Sequence, residues 1–229
     1  MIELSADLGE SSRGEDEIWP LIQRANVACG GHAGDEETMR EAAGLSMRHA
    51  VLLGAHPSYP DREHFGRRSL VIEPAELRES LVAQLSSLRV CATVHHVKPH
   101  GALYNDAHRD LGLARIIVEA MRHVDPSLAM VAPDRSEMAA AAREAGLPVI
   151  REAFADRRYE PDGSLTPRSI PGSTLTIDET VAQVVLLARE GKVVARDGTR
   201  VPIIFDTLCI HADMNGAAGR LRAIRPVLS

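Results

Sequence analysis

The chain has 229 residues, of which 45% are apolar and 25% charged, and its formal net charge is −6. A length of this order suits one domain spanning 1–229 with a core of its own, and the ordinary apolar-to-charged balance excludes global disorder. An acidic balance with only 3% aromatic residues argues against a nucleic-acid partner, which needs a basic face or a stacking platform.

Short apolar runs alternate with longer amphipathic ones along the chain. The pattern predicts strands at 2–6, 26–29, 51–55, 93–98, 129–131, 149–153 and 203–210. Between them it predicts helices at 35–49, 74–88, 110–123, 136–145, 177–190 and 216–224. Pro74 suits a first turn, Gly146 and Pro148 stop the fourth helix, and Asp178 and Glu179 suit the N-terminal end of the fifth. Strand–helix alternation of this kind predicts a parallel α/β architecture. Two polar stretches, 59–71 and 156–173, interrupt it, and long loops inside a compact domain are usually either functional or mobile.

Polar residues recur at the ends of the apolar runs: Asp7 and Glu10, His32 and Asp35, His56, His96 to His100, Asp156, and His211 with Asp213. In a barrel or open parallel sheet these ends share one rim, where active sites sit. The most informative run is His96-Val97-Lys98-Pro99-His100-Gly101. Residues two apart on a strand share a face, so His96 and Lys98 project together and His100 follows just past the strand end. Two imidazoles and an ammonium there offer a base, an acid and an anion stabiliser; a solvated strand end is the competing account.

Asp7 and Glu10 flank a turn at Gly9, so both carboxylates face one pocket or else cap it. Cys29-Gly30-Gly31-His32-Ala33-Gly34-Asp35 is a glycine-rich turn into a helix, with Asp35 as its cap and His32 as the chemical candidate. No GxxxxGK[ST] phosphate loop occurs. Arg67 with Arg68, and Arg168 in the later loop, are suited to gripping a carboxylate or phosphate. His211 and Asp213 could form an imidazole–carboxylate pair. Asp7, His32 and His56 would suit zinc or another first-row ion, but no short-range ligand spacing supports this and no metal is assigned. Cys29, Cys91 and Cys209 are too widely spaced for a disulfide framework or CxxC pair, and Cys29 reads as a buried thiol. The N-terminus has no basic-then-apolar signal pattern, and no apolar run approaches the roughly 20 residues needed to span a bilayer. A cytoplasmic protein without a membrane partner is therefore expected.

These residues resemble the family of 5-oxoprolinase A-subunits, also called the LamB/YcsF family. The matching runs include Ala6-Asp7-Leu8-Gly9-Glu10, His32-Ala33-Gly34-Asp35, Gly54-Ala55-His56-Pro57, Phe65-Gly66-Arg67-Arg68, the run from His96 to Asn105, Phe154-Ala155-Asp156-Arg157 and Pro167-Arg168-Ser169. They span nearly the whole chain in order. The resemblance implies a single-domain (β/α)7 barrel, incomplete and TIM-like, similar to the barrels of glycoside hydrolases and deacetylases. It implies hydrolytic opening of the lactam 5-oxoproline to L-glutamate, with ATP as co-substrate and subunits B and C as partners. On that reading Asp7 or His56 is the base, Lys98 the anion stabiliser, and His96 or His100 the acid. Arg67, Arg68 or Arg168 meets the substrate carboxylate, and Glu10, His32, Asn105, Asp156 and His211 complete the pocket.

The sequence departs from the family pattern at Ser5, Gly31 and His64, in a shortened segment at 11–16, and in the run from His211 to Gly216. Two other readings stay open: a metal-dependent deacetylase of an amide or sugar, and a non-catalytic partner-binding subunit.

Overall fold

The computed structural model describes residues 2–10, 14–211 and 216–228. Seven parallel strands close into a barrel: β1 (Glu3–Leu8), β2 (Arg24–Ala28), β3 (Leu52–His56), β4 (His96–Val97), β5 (Ala129–Ala132), β6 (Val149–Phe154) and a closing strand. Helices α1 (Glu36–His49), α2 (Pro74–Cys91), α3 (Gly101–Ala107), α4 (Leu111–Val124), α5 (Glu137–Glu144) and α6 (Ile177–Glu190) lie in the connections. After α6 an antiparallel hairpin, β7 (Lys192–Val194) with β8 (Arg200–Pro202), precedes the closing strand β9 (Thr207–Ile210) and then α7 (Ala217–Ile224). Strand β9 pairs with both β1 and β6, which completes the ring.

The predicted parallel α/β class and all seven barrel strands are present. Helices cover the ring on the outside, so strands such as Ala-Met-Val-Ala in β5 are buried throughout. Leu81, Leu85 and Leu88 on α2 and Ile117 and Met121 on α4 lie in the resulting core. Local chemistry sets the helix ends. Asp35 and Thr38 form a capping box on α1, confirming Asp35 as a cap, and Thr176 and Glu179 do the same on α6. Gly191 closes α6 in the left-handed conformation.

Four features differ from expectation. β4 is only His96–Val97, shorter than 93–98, although Lys98 N–H still donates to Ala55 O at 2.9 Å before Pro99 ends the ladder. β9 begins at Thr207 rather than 203, because Ile203 N–H is drawn to Gly191 O beside the hairpin. Helix α3 and the hairpin were not predicted: the first is seven residues starting on a glycine, the second two three-residue strands. Among the described residues no helix is long and apolar enough to cross a membrane.

Gly54 in β3 allows the close approach of a buried ring. A Cβ there would lie 2.2 Å from His96 Cδ2 and Nε2. Gly54→Ala must therefore displace the imidazole or the strand, and overpacking of this kind costs about 1–3 kcal/mol. Urea unfolding monitored by circular dichroism should show that loss; an unchanged midpoint would mean that the barrel interior has room there.

Candidate active site

The strand ends open into a cavity of about 1060 Å³. Of the predicted residues, Asp7, Glu10, His56, Lys98, His100, Arg67, Asn105, Arg168 and His211 line it. Four do not. His96 lies beneath the floor, His32 behind His100, Asp156 behind His211, and Arg68 is exposed on the loop after Gly66.

The floor is a network around Lys98, which is 2% exposed although it carries an ammonium. Its Nζ donates to Asp7 Oδ1 and Oδ2 at 3.0 and 3.2 Å and to Cys209 Sγ at 3.0 Å. Glu152 Oε1 is 2.9 Å away, an ion contact without hydrogen-bond alignment. The Phe154 ring covers the ammonium at 5.1 Å. Glu152 Oε2 accepts the Tyr104 hydroxyl at 2.9 Å. Beneath, Asn26 Nδ2 donates to Asp7 Oδ1 at 2.9 Å, and His96 Nε2 lies 3.0 Å from Asn26 Oδ1. With the Asn26 amide turned this way, His96 carries its hydrogen on Nε2 and supports the floor. It is buried and does not line the cavity.

Beside Lys98 stands a histidine cluster. His56 Nδ1 donates to Lys98 O at 2.6 Å, and His100 Nε2 donates to Phe65 O at 3.0 Å. Both rings thus spend their hydrogens on backbone carbonyls. Their other nitrogens, His56 Nε2 and His100 Nδ1, face each other at 3.0 Å. Glu10 Oε1 completes the group, 3.3 Å from His100 Nδ1 and 3.8 Å from His56 Nε2. His32 Nε2 donates to Glu10 Oε1 at 3.0 Å, and its ring stacks on His100 with centroids 3.6 Å apart. Two lone pairs at such a distance repel unless a proton or a cation lies between them. One carboxylate and three imidazoles whose ligand atoms lie within 4.8 Å of one another suit a first-row divalent ion such as zinc. The carbonyl partners of His56 and His100 are the outer support that such ligands use. The set differs from Asp7, His32 and His56: Asp7 is taken by Lys98, while Glu10 and His100 join.

Burial and charge separate the titrating groups. Burial alone would raise Asp7, but the Lys98 ammonium 3.0 Å away holds it well below the usual carboxylate range. Burial likewise opposes Glu10 ionisation, but the surrounding histidines, with His32 donating from Nε2, hold it well below the usual carboxylate range. Burial pushes His56 down to about 3 against the pull of Asp7. Glu152 goes the other way: burial raises it, and Lys98 offsets only part of the effect. Burial also raises Cys209 well above the thiol range and pushes Cys29 up to about 12, which fits inert buried thiols.

Two long loops wall the cavity. In the first, Phe65 and Gly66 adopt left-handed φ of 54° and 61°, and Gly66 O accepts Ala102 N–H at 2.9 Å, tying the loop to the start of α3. Arg67 lies over the Phe65 ring at 5.0 Å. The second loop brings Arg168 to the exposed rim. His211 Nδ1 lies 3.1 Å from Asp156 Oδ1, and its backbone N–H donates to Asp156 Oδ2 at 3.1 Å. Asp156 is thus the described partner of His211; Asp213 and residues 11–13 of the shortened 11–16 segment lie outside the described residues.

Sequence reasoning missed Glu152, Asn26, Tyr104 and Cys209. A charged or amide residue within a strand covered on both faces was the available signal for the first two.

A closed parallel barrel with its charged groups gathered at the strand ends defines a TIM-like α/β barrel of the enzyme kind. The chain belongs to the LamB/YcsF family, whose profile matches residues 2–229. It is 45% identical over 239 aligned positions to the 5-oxoprolinase A-subunit of Methylococcus capsulatus, covering 100% of this chain and 92% of that one. It is 46% identical over 236 positions to the protein of that name from Chloroflexus aggregans, covering 98% and 93%. Among solved structures it is similar to the lactam utilization protein of Thermus thermophilus. The TM-score is 0.92 at 42% identity, covering 99% of this chain and 95% of that chain.

His96 gives the floor a pH signature. Burial, with the charge of Arg24 next, pushes it down to about 3 from the ordinary 6.5. The unfolded chain then binds a proton that the folded one refuses between those values. Its contribution is fully present above about 6.5 and is lost as pH falls toward 3, at about 1.4 kcal/mol per pH unit. Unfolding free energies between pH 4.5 and 6 should fall less steeply in His96→Gln than in wild type. Equal slopes would show that His96 is protonated in the fold.

Proposed function

We propose that this chain is the A-subunit of a 5-oxoprolinase. It acts as one domain over 1–229, in the cytoplasm, with ATP as co-substrate and two partner subunits, B and C, and opens 5-oxoproline to L-glutamate. The names of its relatives support the reaction, and the organisation of the floor carries the reading. An ammonium, two carboxylates and a histidine cluster converge on one cavity at the strand ends. Hydrolysis of an unstrained lactam asks for that set: a base for water, a positive group for the developing oxyanion, and a proton for the departing nitrogen.

The lactam amide is resonance-stabilised, and its ring re-closes easily. Transfer of a phosphoryl group from ATP to the lactam oxygen makes the carbonyl carbon electrophilic. The absence of a phosphate-loop motif supports activation by the partners, with this barrel adding water to the activated ring and opening it to an acyl phosphate, which a second water converts to glutamate and free phosphate. His56, with an unprotonated Nε2 toward the cavity, is the base for water, and Glu10 steadies it. Asp7 holds Lys98, and Lys98 meets the developing negative charge. Arg67 and Arg168 on the outer wall are placed for the substrate carboxylate.

A second reading has its own observation, the Glu10, His32, His56 and His100 cluster. If that cluster holds a divalent ion for a deacetylase, the purified chain alone should hydrolyse an acetylated amide or sugar. The activity should vanish with chelator and with elemental depletion of the metal. Glutamate release that requires ATP, B and C identifies the first reading instead.

On the first reading Lys98→Ala, assayed with B and C, should lose roughly 10²–10³ in glutamate release, as when an oxyanion-stabilising group is removed. A folded variant that releases glutamate at the wild-type rate would remove Lys98 from the reaction.

A further inference from the structure

Three electron-rich atoms meet at one corner of the cavity. His56 Nδ1 and His100 Nε2 spend their hydrogens on the carbonyls of Lys98 and Phe65, at 2.6 and 3.0 Å. His56 Nε2 and His100 Nδ1 therefore turn lone pairs toward each other across 3.0 Å. Glu10 Oε1 stands 3.3 Å from the second and 3.8 Å from the first. A proton lies along one line and joins two of these atoms; a metal ion accepts all three.

The spacing is that of a coordination shell. Zinc holds imidazole nitrogen and carboxylate oxygen at about 2.0–2.1 Å, so tetrahedral ligands stand roughly 3.3–3.4 Å apart. The three separations bracket that edge. By triangulation from them, a point about 2.1 Å from all three atoms lies roughly 0.7 Å off their plane, the height a tetrahedral ion takes over three of its ligands. The His56 and His100 rings meet at 86°, so they approach such a point from different directions. His32 does not join them. Its ring lies within 3° of parallel to His100, with centroids 3.6 Å apart, and two stacked rings do not aim lone pairs at one point. His32 Nε2 instead donates to Glu10 Oε1 at 3.0 Å. Each of the three residues thus has an outer hydrogen-bond partner, as metal ligands do. Glu10, His56 and His100 line the cavity and His32 does not. Three protein ligands with a side open to the cavity form the arrangement of a catalytic ion, not of a structural one.

Charge points the same way. The side chains of Asp7, Glu10 and Glu152 are at most 11% exposed, and Lys98 is the ammonium among them. Three carboxylates against one ammonium leave two negative charges out of water, which one divalent ion cancels. Asp7 links the two cationic positions, with Oδ1 3.0 Å from Lys98 Nζ and Oδ2 3.6 Å from His56 Nε2.

We propose that Glu10 Oε1, His56 Nε2 and His100 Nδ1 are the ligands of a divalent, zinc-class ion, with His32 as the outer partner of Glu10 and a fourth position open to the cavity for water or a substrate oxygen. The role of the ion, though not its binding, rests on the lactam-opening reading. There it activates the attacking water in place of the bare His56 nitrogen, so the side from which water attacks is unchanged.

The test strips the full chain, free of any affinity tag, with chelator and titrates it with Co²⁺. One equivalent should bind, give the visible bands of a four-coordinate ion, and be displaced by one equivalent of Zn²⁺. X-ray absorption of the Zn²⁺-loaded chain should count two imidazoles. Glu10→Gln and His100→Gln, checked for folding by circular dichroism, should weaken Zn²⁺ binding by more than about 100-fold; His32→Gln should weaken it roughly 10–100-fold and keep the Co²⁺ bands. A folded wild-type chain that takes up no Co²⁺ overturns the site. So does undiminished binding by folded Glu10→Gln or His100→Gln, which puts the ion elsewhere. Three imidazoles in the absorption spectrum overturn the exclusion of His32, and that spectrum decides if the variants do not fold. With B, C, ATP and its Mg²⁺, glutamate release should be lost on stripping and return with Zn²⁺; release unchanged by complete stripping overturns the role of the ion. If the loaded wild-type complex releases no glutamate, the lactam reading fails and the binding result stands. If it releases glutamate and the stripped chain takes up no Co²⁺, the ion alone is removed.

Discussion

Burying the Lys98 ammonium is the constraint on which the rest of the barrel depends. An unpaired cation at 2% exposure would cost several kcal/mol, so carboxylates must reach it from elsewhere. Asp7 comes from β1, Glu152 from β6 and Cys209 from β9, the strand that pairs with both. Closing the ring and compensating the charge are therefore one event. Until β9 is seated between β1 and β6, the ammonium lacks a complete set of partners. The functional floor of the site is in this sense also the lock of the fold.

The sequence was most legible where chemistry sits at the ends of strands. Asp7, Glu10, His56, Lys98 and His100 each follow or close an apolar run, and the barrel brings all five to one cavity. It was least legible where chemistry sits inside strands. Glu152 reads as one more charge in Val-Ile-Arg-Glu-Ala-Phe, next to Arg151, which turns outward to bond Asp206. Only the covering of both strand faces reveals that its neighbour in sequence must go inward and be buried. Asn26 was hidden in the same way, between Ala25 and Val27. Partner identity was illegible for another reason: His211 has Asp156, just past the end of the neighbouring strand β6, as its described partner, and spacing along the chain carries no trace of such a contact.

The histidine cluster shows how a second layer decides what the first layer can do. His96 and His56 have the same side chain and nearly the same depressed pKa, yet only one faces the cavity. The difference is backbone position. His96 lies within β4 and points across to Asn26, while His56 ends β3 and turns its Nδ1 onto Lys98 O. That hydrogen bond leaves Nε2 bare. The loop carrying Phe65 does the same to His100, and its left-handed turn is what puts the Phe65 carbonyl within reach. That loop thus fixes which ring nitrogen of His100 carries the hydrogen.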